Sequence, residues 1–291
     1  MNHLTAKISC FARAYHTRTA RHPIFCDEAA ERLLGRDYEM IAQNMMQGIG
    51  YFMPGFQGSP EEGLRQIADR QLSPSVLGRS AFCENMLEQQ NGVEQFLILA
   101  AGYDTFGIRN QDPSLTVYEV DLPDVIDDRK KRIREAGLSD RSVSAACDLR
   151  QKTWPAVLQE TGFDSMRKTF VSMLGISYYL EPEEFRQLMH QLGGLLKEGS
   201  CICFDYPAAK EGREAAVNRQ LASGANEPMK ANYDGAEIQR LLELNGFVIR
   251  KHLGPEEMTE QYFSGYNEAE PEHRITAPEG VCYVFAGCRG K

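Results

Sequence analysis

The chain has 291 residues, 42% of them apolar and 25% charged, with a net charge of −9. This is an ordinary globular composition, long enough for one large domain or one domain with a sizeable appendage. The acidic balance argues against a nucleic-acid partner, and no apolar run approaches the roughly 20 residues that cross a bilayer, so no membrane partner is expected.

Residues 1–92 show no dependable strand alternation. They read as helices separated by breaks at Gly35, Gly48-Ile49-Gly50, Pro54-Gly55 and Gly58-Ser59-Pro60. The first acidic residue is Asp27, and the arginines, threonines and histidines before it superficially suggest a transit peptide. A helix with a solvated basic face is the plainer reading. Asn91-Gly92 marks a turn.

From Phe96 onward strands and helices alternate. A strand at 96–100 leads to a helix beginning near Thr105, and a strand at 115–120 leads to a charged helix at 124–136 that stops at Gly137. The run Asp127 to Arg132 in that helix reads as a solvated face. A short strand, Ser142–Cys147, ends at Asp148; a helix follows around Pro155–Glu160, then a strand at Thr169–Leu174. Glu181-Pro182-Glu183-Glu184 opens a helix that runs to about Lys197, because proline and acids suit a first turn. Gly199 precedes the strand Ser200–Tyr206. After a polar stretch with Gly212, Gly224 and Pro228 come a helix, Gly235–Asn245, and a strand, Phe247–His252. The last strand, Val281–Cys288, follows what reads as an irregular polar stretch. Repeated strand–helix units predict an α/β fold with a doubly wound, mostly parallel sheet. The closing pair of strands is the place for an antiparallel one.

The most specific stretch is FLILAAGYDTFGIR followed by LTVYEVDLPD. The first apolar run ends in Ala101-Gly102 and the second in acids, Glu119 and Asp121. Strand, glycine turn, helix and acid-tipped strand is how a doubly wound domain holds an adenosine: the turn lets backbone approach the ligand and the acid bonds the ribose. Only Gly102 of the dinucleotide glycines is present, so an adenosine without pyrophosphate, of the S-adenosylmethionine kind, fits better. A nucleotide-dependent oxidoreductase on the same fold is the disfavoured alternative.

The eight cysteines form no CxxC and have no histidine at metal-ligand spacing. They read as buried free thiols in a reducing cytoplasm, without a metal. Cys201 and Cys203 share one face of a strand. No pattern marks an oligomeric state.

LAAGYDTFGIR with VYEVDLPDV, then CDLR, then SMLGISYYLEPEEF, resembles the leucine carboxyl methyltransferase family. The resemblance implies a class I S-adenosylmethionine-dependent methyltransferase: a seven-stranded Rossmann-like sheet with one antiparallel strand, and residues 1–92 as a helical cap over a core at 93–291. It also implies roles. Gly102 lies beneath the methionine part of the cofactor, Asp121 with Glu119 takes the ribose, and Asp148 and Leu149 flank the adenine. Arg79 and Arg13 face the cofactor carboxylate, a partner that arginine can grip in bidentate fashion. Arg150 matches an arginine that grips a substrate carboxylate, and Tyr179 matches a tyrosine near the acceptor. Two departures stand out. Leu174 replaces the glutamate that eukaryotic members carry beside the cofactor, and the first turn reads Ala-Ala-Gly rather than Gly-Ala-Gly. The chain therefore resembles a bacterial branch that includes small-molecule O-methyltransferases.

The expected reaction is methyl transfer to an oxygen of a small-molecule acceptor. A carboxylate acceptor needs no base, whereas a hydroxyl needs one within about 3 Å. His16, His22 and His252 are candidates, each with the plain alternative of a surface or satisfied histidine. Tyr206, at the end of its strand, points to the carboxyl edge where ligands bind. A cofactor-binding protein without catalysis is the remaining alternative, and Leu174 is the feature that leans that way.

Overall fold

All seven strands form: β1 (Gln95–Leu99), β2 (Thr116–Asp121), β3 (Val143–Ala146), β4 (Thr169–Met173), β5 (Cys201–Pro207), β6 (Phe247–Leu253) and β7 (Val281–Cys288). The structure is a computed structural model, and it describes residues 3–208 and 229–289. The strands lie in one sheet in the order β3-β2-β1-β4-β5-β7-β6. β1 to β5 pair in parallel, and β7 runs antiparallel to both β5 and β6. The sheet is therefore the doubly wound one expected, with a single reversed strand. Register aligns Leu99 with Val120 and Asp121 with Ala146, so β1, β2 and β3 end at one level.

Each face of the sheet carries its own core. On one face Leu97, Leu99, Val120, Ile202, Phe204 and Tyr206 pack with side chains of α9 (Trp154–Glu160), α10 (Pro182–Leu195) and α11 (Gly235–Leu244). On the other, Phe96, Ile98, Val117, Phe170, Cys201 and Cys203 meet α6 (Ser73–Glu88). Each large apolar side chain buried this way contributes about 1.5–3 kcal/mol. Six of the cysteines are buried and all are free; Cys26 is exposed and Cys282 partly so. α10 starts where the sequence places it, because the Glu184 carboxylate accepts from the Glu181 backbone N–H at 2.8 Å.

The N-terminal part forms α1 (Leu4–Thr19), α2 (Ala30–Leu34), α3 (Arg36–Gln47), α4 (Ile49–Phe52) and α5 (Pro60–Ile67), broken at Gly35 and Gly48 as expected. Ser59 caps α5 by accepting the Glu62 N–H at 3.2 Å. Phe11, Leu33, Tyr38, Ile41 and Leu64 build a third apolar cluster. Within the core, α7 (Phe106–Arg109) is a single turn and α8 (Pro123–Glu135) is the charged helix.

The stretch before β7 corrects the sequence reading. It is helical, with α12 (Pro255–Met258), a π turn at Thr259–Phe263 and α13 (Ser264–Ala269), and it buries Met258, Phe263 and Tyr266. The π turn puts Met258 and Phe263 five residues apart, which breaks the 3.6-residue period that sequence patterns reveal. The polar stretch with Gly212, Gly224 and Pro228 lies outside the described residues.

Candidate active site

A cavity of about 670 Å³ opens at the carboxyl ends of the central strands, within the usual range for small-molecule sites. Gly102, Asp121, Asp148, Leu149 and Leu174 line it from the strand ends, and Ala6, Ser9, Arg13, Val76 and Arg79 from α1 and α6.

The turn after β1 is the tightest part. Ala100 and Gly102 both hold left-handed backbone, at φ 54° and 53°. For Ala100 that conformation costs roughly 1–2 kcal/mol. A Cβ at Gly102 would come within 3.3 Å of the Ala6 Cβ, so α1 presses directly on the turn. The Gly102 N–H donates to Asp121 Oδ2 at 2.7 Å, and the Leu122 N–H donates to Oδ1 at 2.7 Å. Burial pushes the Asp121 carboxyl above its ordinary value, while these two donors resist the shift. Each carboxylate oxygen keeps a further lone pair for a ribose hydroxyl. A carboxylate locked at the turn beside Asp148 and the apolar Leu149 is a set of acceptors and apolar surface that fits an adenosine.

The three predicted arginines differ in what already holds them. Arg13 donates from Nε to Asp27 Oδ2 and from Nη2 to the Tyr103 carbonyl, both at 2.7 Å. Burial opposes the Asp27 charge, yet Arg13 and Arg109 hold its carboxyl below the ordinary value. Arg13 thus ties α1 to the turn after β1, and the cation is committed. Arg150 grips Asp148 through Nε at 2.9 Å and Nη2 at 2.6 Å, half exposed at the cavity's rim. The Arg150 guanidinium holds Asp148 below the usual carboxylate range. Arg79 is the exception. Among the described residues it makes one hydrogen bond, from Nη2 to Ser9 Oγ at 3.3 Å, and an ion pair with Asp205 at 3.7 Å. Most of its five N–H donors stay available to an anion.

Two predicted residues lie outside the cavity. Glu119 is fully buried two residues back from the strand end, where its carboxylate pairs with Arg129 of α8 at 2.7 Å. It cannot reach a ribose at the edge. Tyr206 is 1% exposed on the opposite face of β5, bonded to His252 Nε2 at 2.9 Å. Strand alternation turns Asp205, not Tyr206, towards the cavity side. Tyr179 and Leu174 do line the cavity, on the loop after β4.

The candidate bases are placed elsewhere. His16 is buried and accepts the Ile24 N–H at 2.9 Å; burial pushes its pKa down to about 4, so it stays neutral. His252 sits behind the sheet with Tyr206, and His22 is exposed. The histidine that lines the cavity is His3, bonded to Asp124 at 3.0 Å.

Sequence reading missed three contributors. Asp205 interrupts the apolar run CICFDYP, and a carboxylate inside such a strand was the signal available. Tyr178 lines the cavity and donates to Asp205 Oδ2 at 3.0 Å. Gln71 enters from a π turn at Ala68–Leu72, and its Oε1 is buried without a partner among the described residues. π turns of this kind recur at functional sites, but nothing in the local sequence announces one.

No described helix is long and apolar enough to cross a membrane, and no metal-ligating cluster occurs among the described residues.

Comparison with known proteins agrees with this geometry. A Bacillus subtilis (strain 168) protein described as a candidate S-adenosyl-L-methionine-dependent methyltransferase, YktD, is 34% identical over 97% of both chains. A similarly described protein of Mycobacterium ulcerans (strain Agy99) is 32% identical over 72% of this chain and 66% of its own. Among solved structures, a DUF574 family protein from Streptomyces avermitilis superposes with TM-score 0.58 at 14% identity, covering 89% of this chain and 95% of that one. Geranyl diphosphate C-methyltransferase from Streptomyces coelicolor A3(2), solved with S-adenosyl-L-homocysteine, gives TM-score 0.52 at 13% identity over 81% and 86% of the two chains. At such identities these two likenesses speak for the fold alone. The leucine carboxyl methyltransferase profile matches residues 6–193, which includes most of α1, the glycine turn, Asp121, Asp148 and the loop after β4. On that match and the near full-length relative, the chain belongs to the leucine carboxyl methyltransferase family.

Proposed function

We propose that the protein is an S-adenosylmethionine-dependent methyltransferase that methylates an oxygen, carboxylate or hydroxyl, of a small molecule. The observation that carries the reading is the pairing of Asp121 with the Gly102 turn in a cavity that also holds Asp148 and an uncommitted Arg79. Family membership supports S-adenosylmethionine-dependent methyl transfer, and the oxygen acceptor is our own extension.

When bound, S-adenosylmethionine supplies an electrophilic methyl on a sulfonium, open to in-line displacement. The chain's part is to hold and to exclude. Asp121 fixes the ribose and Asp148 the adenine amino group. Arg79 meets the carboxylate, with Arg13 holding α1 in place. Residues 1–92 act as a cap over the 93–291 core and keep water from the reacting atoms. Orienting bound reactants in this way is worth up to about 7–11 kcal/mol. Tyr179 faces the acceptor, and Arg150 becomes available to an acceptor carboxylate when it exchanges Asp148. The cavity's histidine, His3, is bonded to Asp124 at 3.0 Å, and a carboxylate acceptor would need no base.

Isothermal titration with S-adenosylmethionine, S-adenosylhomocysteine and NAD⁺ tests the cofactor. Micromolar binding of the two sulfur ligands without NAD⁺ is expected, and NAD⁺ binding alone would overturn it. A panel of small carboxylic acids and alcohols then tests the acceptor. Methyl esters release methanol in mild base and ethers do not, so product lability separates the two oxygen classes. Methylation confined to nitrogen, carbon or sulfur would refute the oxygen reading.

A further inference from the structure

We propose that Asp205, opposed by Gly175, is the positioning residue that aims Arg79 at the ligand's carboxylate. The inference rests on the cofactor reading above and goes beyond it by naming what sets the cation's direction.

Asp205 is completely buried in β5, on the face turned to the cavity. Its Oδ1 accepts the Gly175 N–H at 2.6 Å and its Oδ2 accepts the Tyr178 hydroxyl at 3.0 Å. Its backbone carbonyl accepts the Ser177 hydroxyl at 2.7 Å. Both side-chain donors are neutral, so the charge is answered by Arg79, whose Nη1 lies 3.7 Å from Oδ2. A buried carboxylate without such a partner is strongly unfavourable. The separation exceeds hydrogen-bond length, so Asp205 attracts the guanidinium without saturating it. From the other side, Gly175 makes the seat: it sits at φ 71°, and a Cβ there would fall 2.5 Å from Arg79 Nη1. The cation is thus held between a charge and a bare backbone, with donors left for an anion. Arg13 and Arg150 have hydrogen-bonded carboxylates instead, at 2.7 Å and 2.6 Å. The two carboxylate bonds, from Gly175 and Tyr178, also anchor the loop carrying Leu174, Tyr178 and Tyr179, so one carboxylate sets both the cofactor cation and a wall of the acceptor space.

The test compares S-adenosylhomocysteine with 5′-methylthioadenosine, which keeps the adenosine and thioether but lacks the amino-acid carboxylate. Calorimetric affinities are measured for wild type, Asp205→Asn, Arg79→Gln and the double variant. Asp205→Asn is expected to weaken S-adenosylhomocysteine about tenfold, to leave methylthioadenosine within about twofold, and to add nothing in the Arg79→Gln background. Equal weakening of both ligands, or additive losses in the double variant, would overturn the proposal. If Asp205→Asn does not fold, Gly175→Ala displaces the guanidinium from its seat and must give the same selective loss; a uniform loss there overturns it too. Wild-type protein that binds neither ligand overturns the cofactor reading itself, before any variant is compared.

Discussion

The interior of the sheet and its carboxyl edge use the same carboxylate group for opposite ends, and β2 holds both cases. Glu119 and Asp121 lie on one face of the strand, two residues apart. Glu119 has no exposure and pairs with Arg129, itself 1% exposed and also bonded to Asp140 at 2.7 Å. Among the described residues, Asp121 is hydrogen-bonded by backbone N–H groups, and it borders the cavity. The interior acid finds a cation because no water can reach it. The edge acid is held by neutral donors and keeps its charge and lone pairs for a ligand. One step of strand pleat therefore separates a structural acid from a binding one.

The comparison is broken or sharpened by measurements at both places. The largest effect is expected from Arg129→Met, which leaves Glu119 buried beside no cation. Above about pH 8, where Glu119 is charged, urea denaturation should show a loss of about 3–5 kcal/mol, with S-adenosylhomocysteine affinity of the folded fraction unchanged. Asp121→Ala should do the reverse. Affinity falls by about 1–3 kcal/mol, because a buried hydrogen bond to the ligand is lost, and stability falls less than in Arg129→Met; unchanged affinity would erase the distinction between the two acids. Next comes pH. Burial pushes Glu119 up to about 8, above the 4.5 of an exposed glutamate, against the pull of Arg129. The folded chain then holds a proton that the unfolded chain releases. This contribution is complete below about pH 4.5 and is lost as pH rises through 8. The unfolding free energy should fall across that window by at most about 1.4 kcal/mol per pH unit, and Glu119→Gln should flatten the fall. Arg150→Ala should change least. Its half-exposed pair with Asp148 is worth under about 1 kcal/mol, so cofactor affinity stays near wild type. Acceptor turnover drops if Arg150 grips a carboxylate, and an equal loss of both would remove that role.

The elements legible in sequence were those defined locally. The strands showed because an apolar run ending in a turn carries its own signal, and α10 showed because Glu181-Pro182 caps it. The glycine turn and Asp121 followed, since they sit at strand ends whose level is fixed by parallel pairing, whereas Asp148 and Leu149 came by resemblance to the family. Three kinds of feature stayed hidden. The π turns at 68–72 and 259–263 break the periodicity by which a helix is recognised. Tyr206 was one residue off, because the register that sends Asp205 inward is set by pairing with β4 and β7. Arg79 could be aligned by resemblance, but its freedom and the commitment of Arg13 are facts of packing. The cavity wall is assembled from α6, the loop after β4 and the segment before β7, and no single stretch of sequence contains it.

The position of β7 has a consequence for the order of assembly. β7 is the last strand in the chain, yet it lies between β5 and β6. During synthesis β5 keeps an open, apolar edge until residues 281–288 emerge, and β6 has no neighbour to join. An open edge of that kind is a template for wrong pairing. Pro278 to Val281, part of the cavity lip, arrives with the same segment. The newborn chain can therefore build its glycine turn early, but it gains a closed sheet and a complete pocket in one late step.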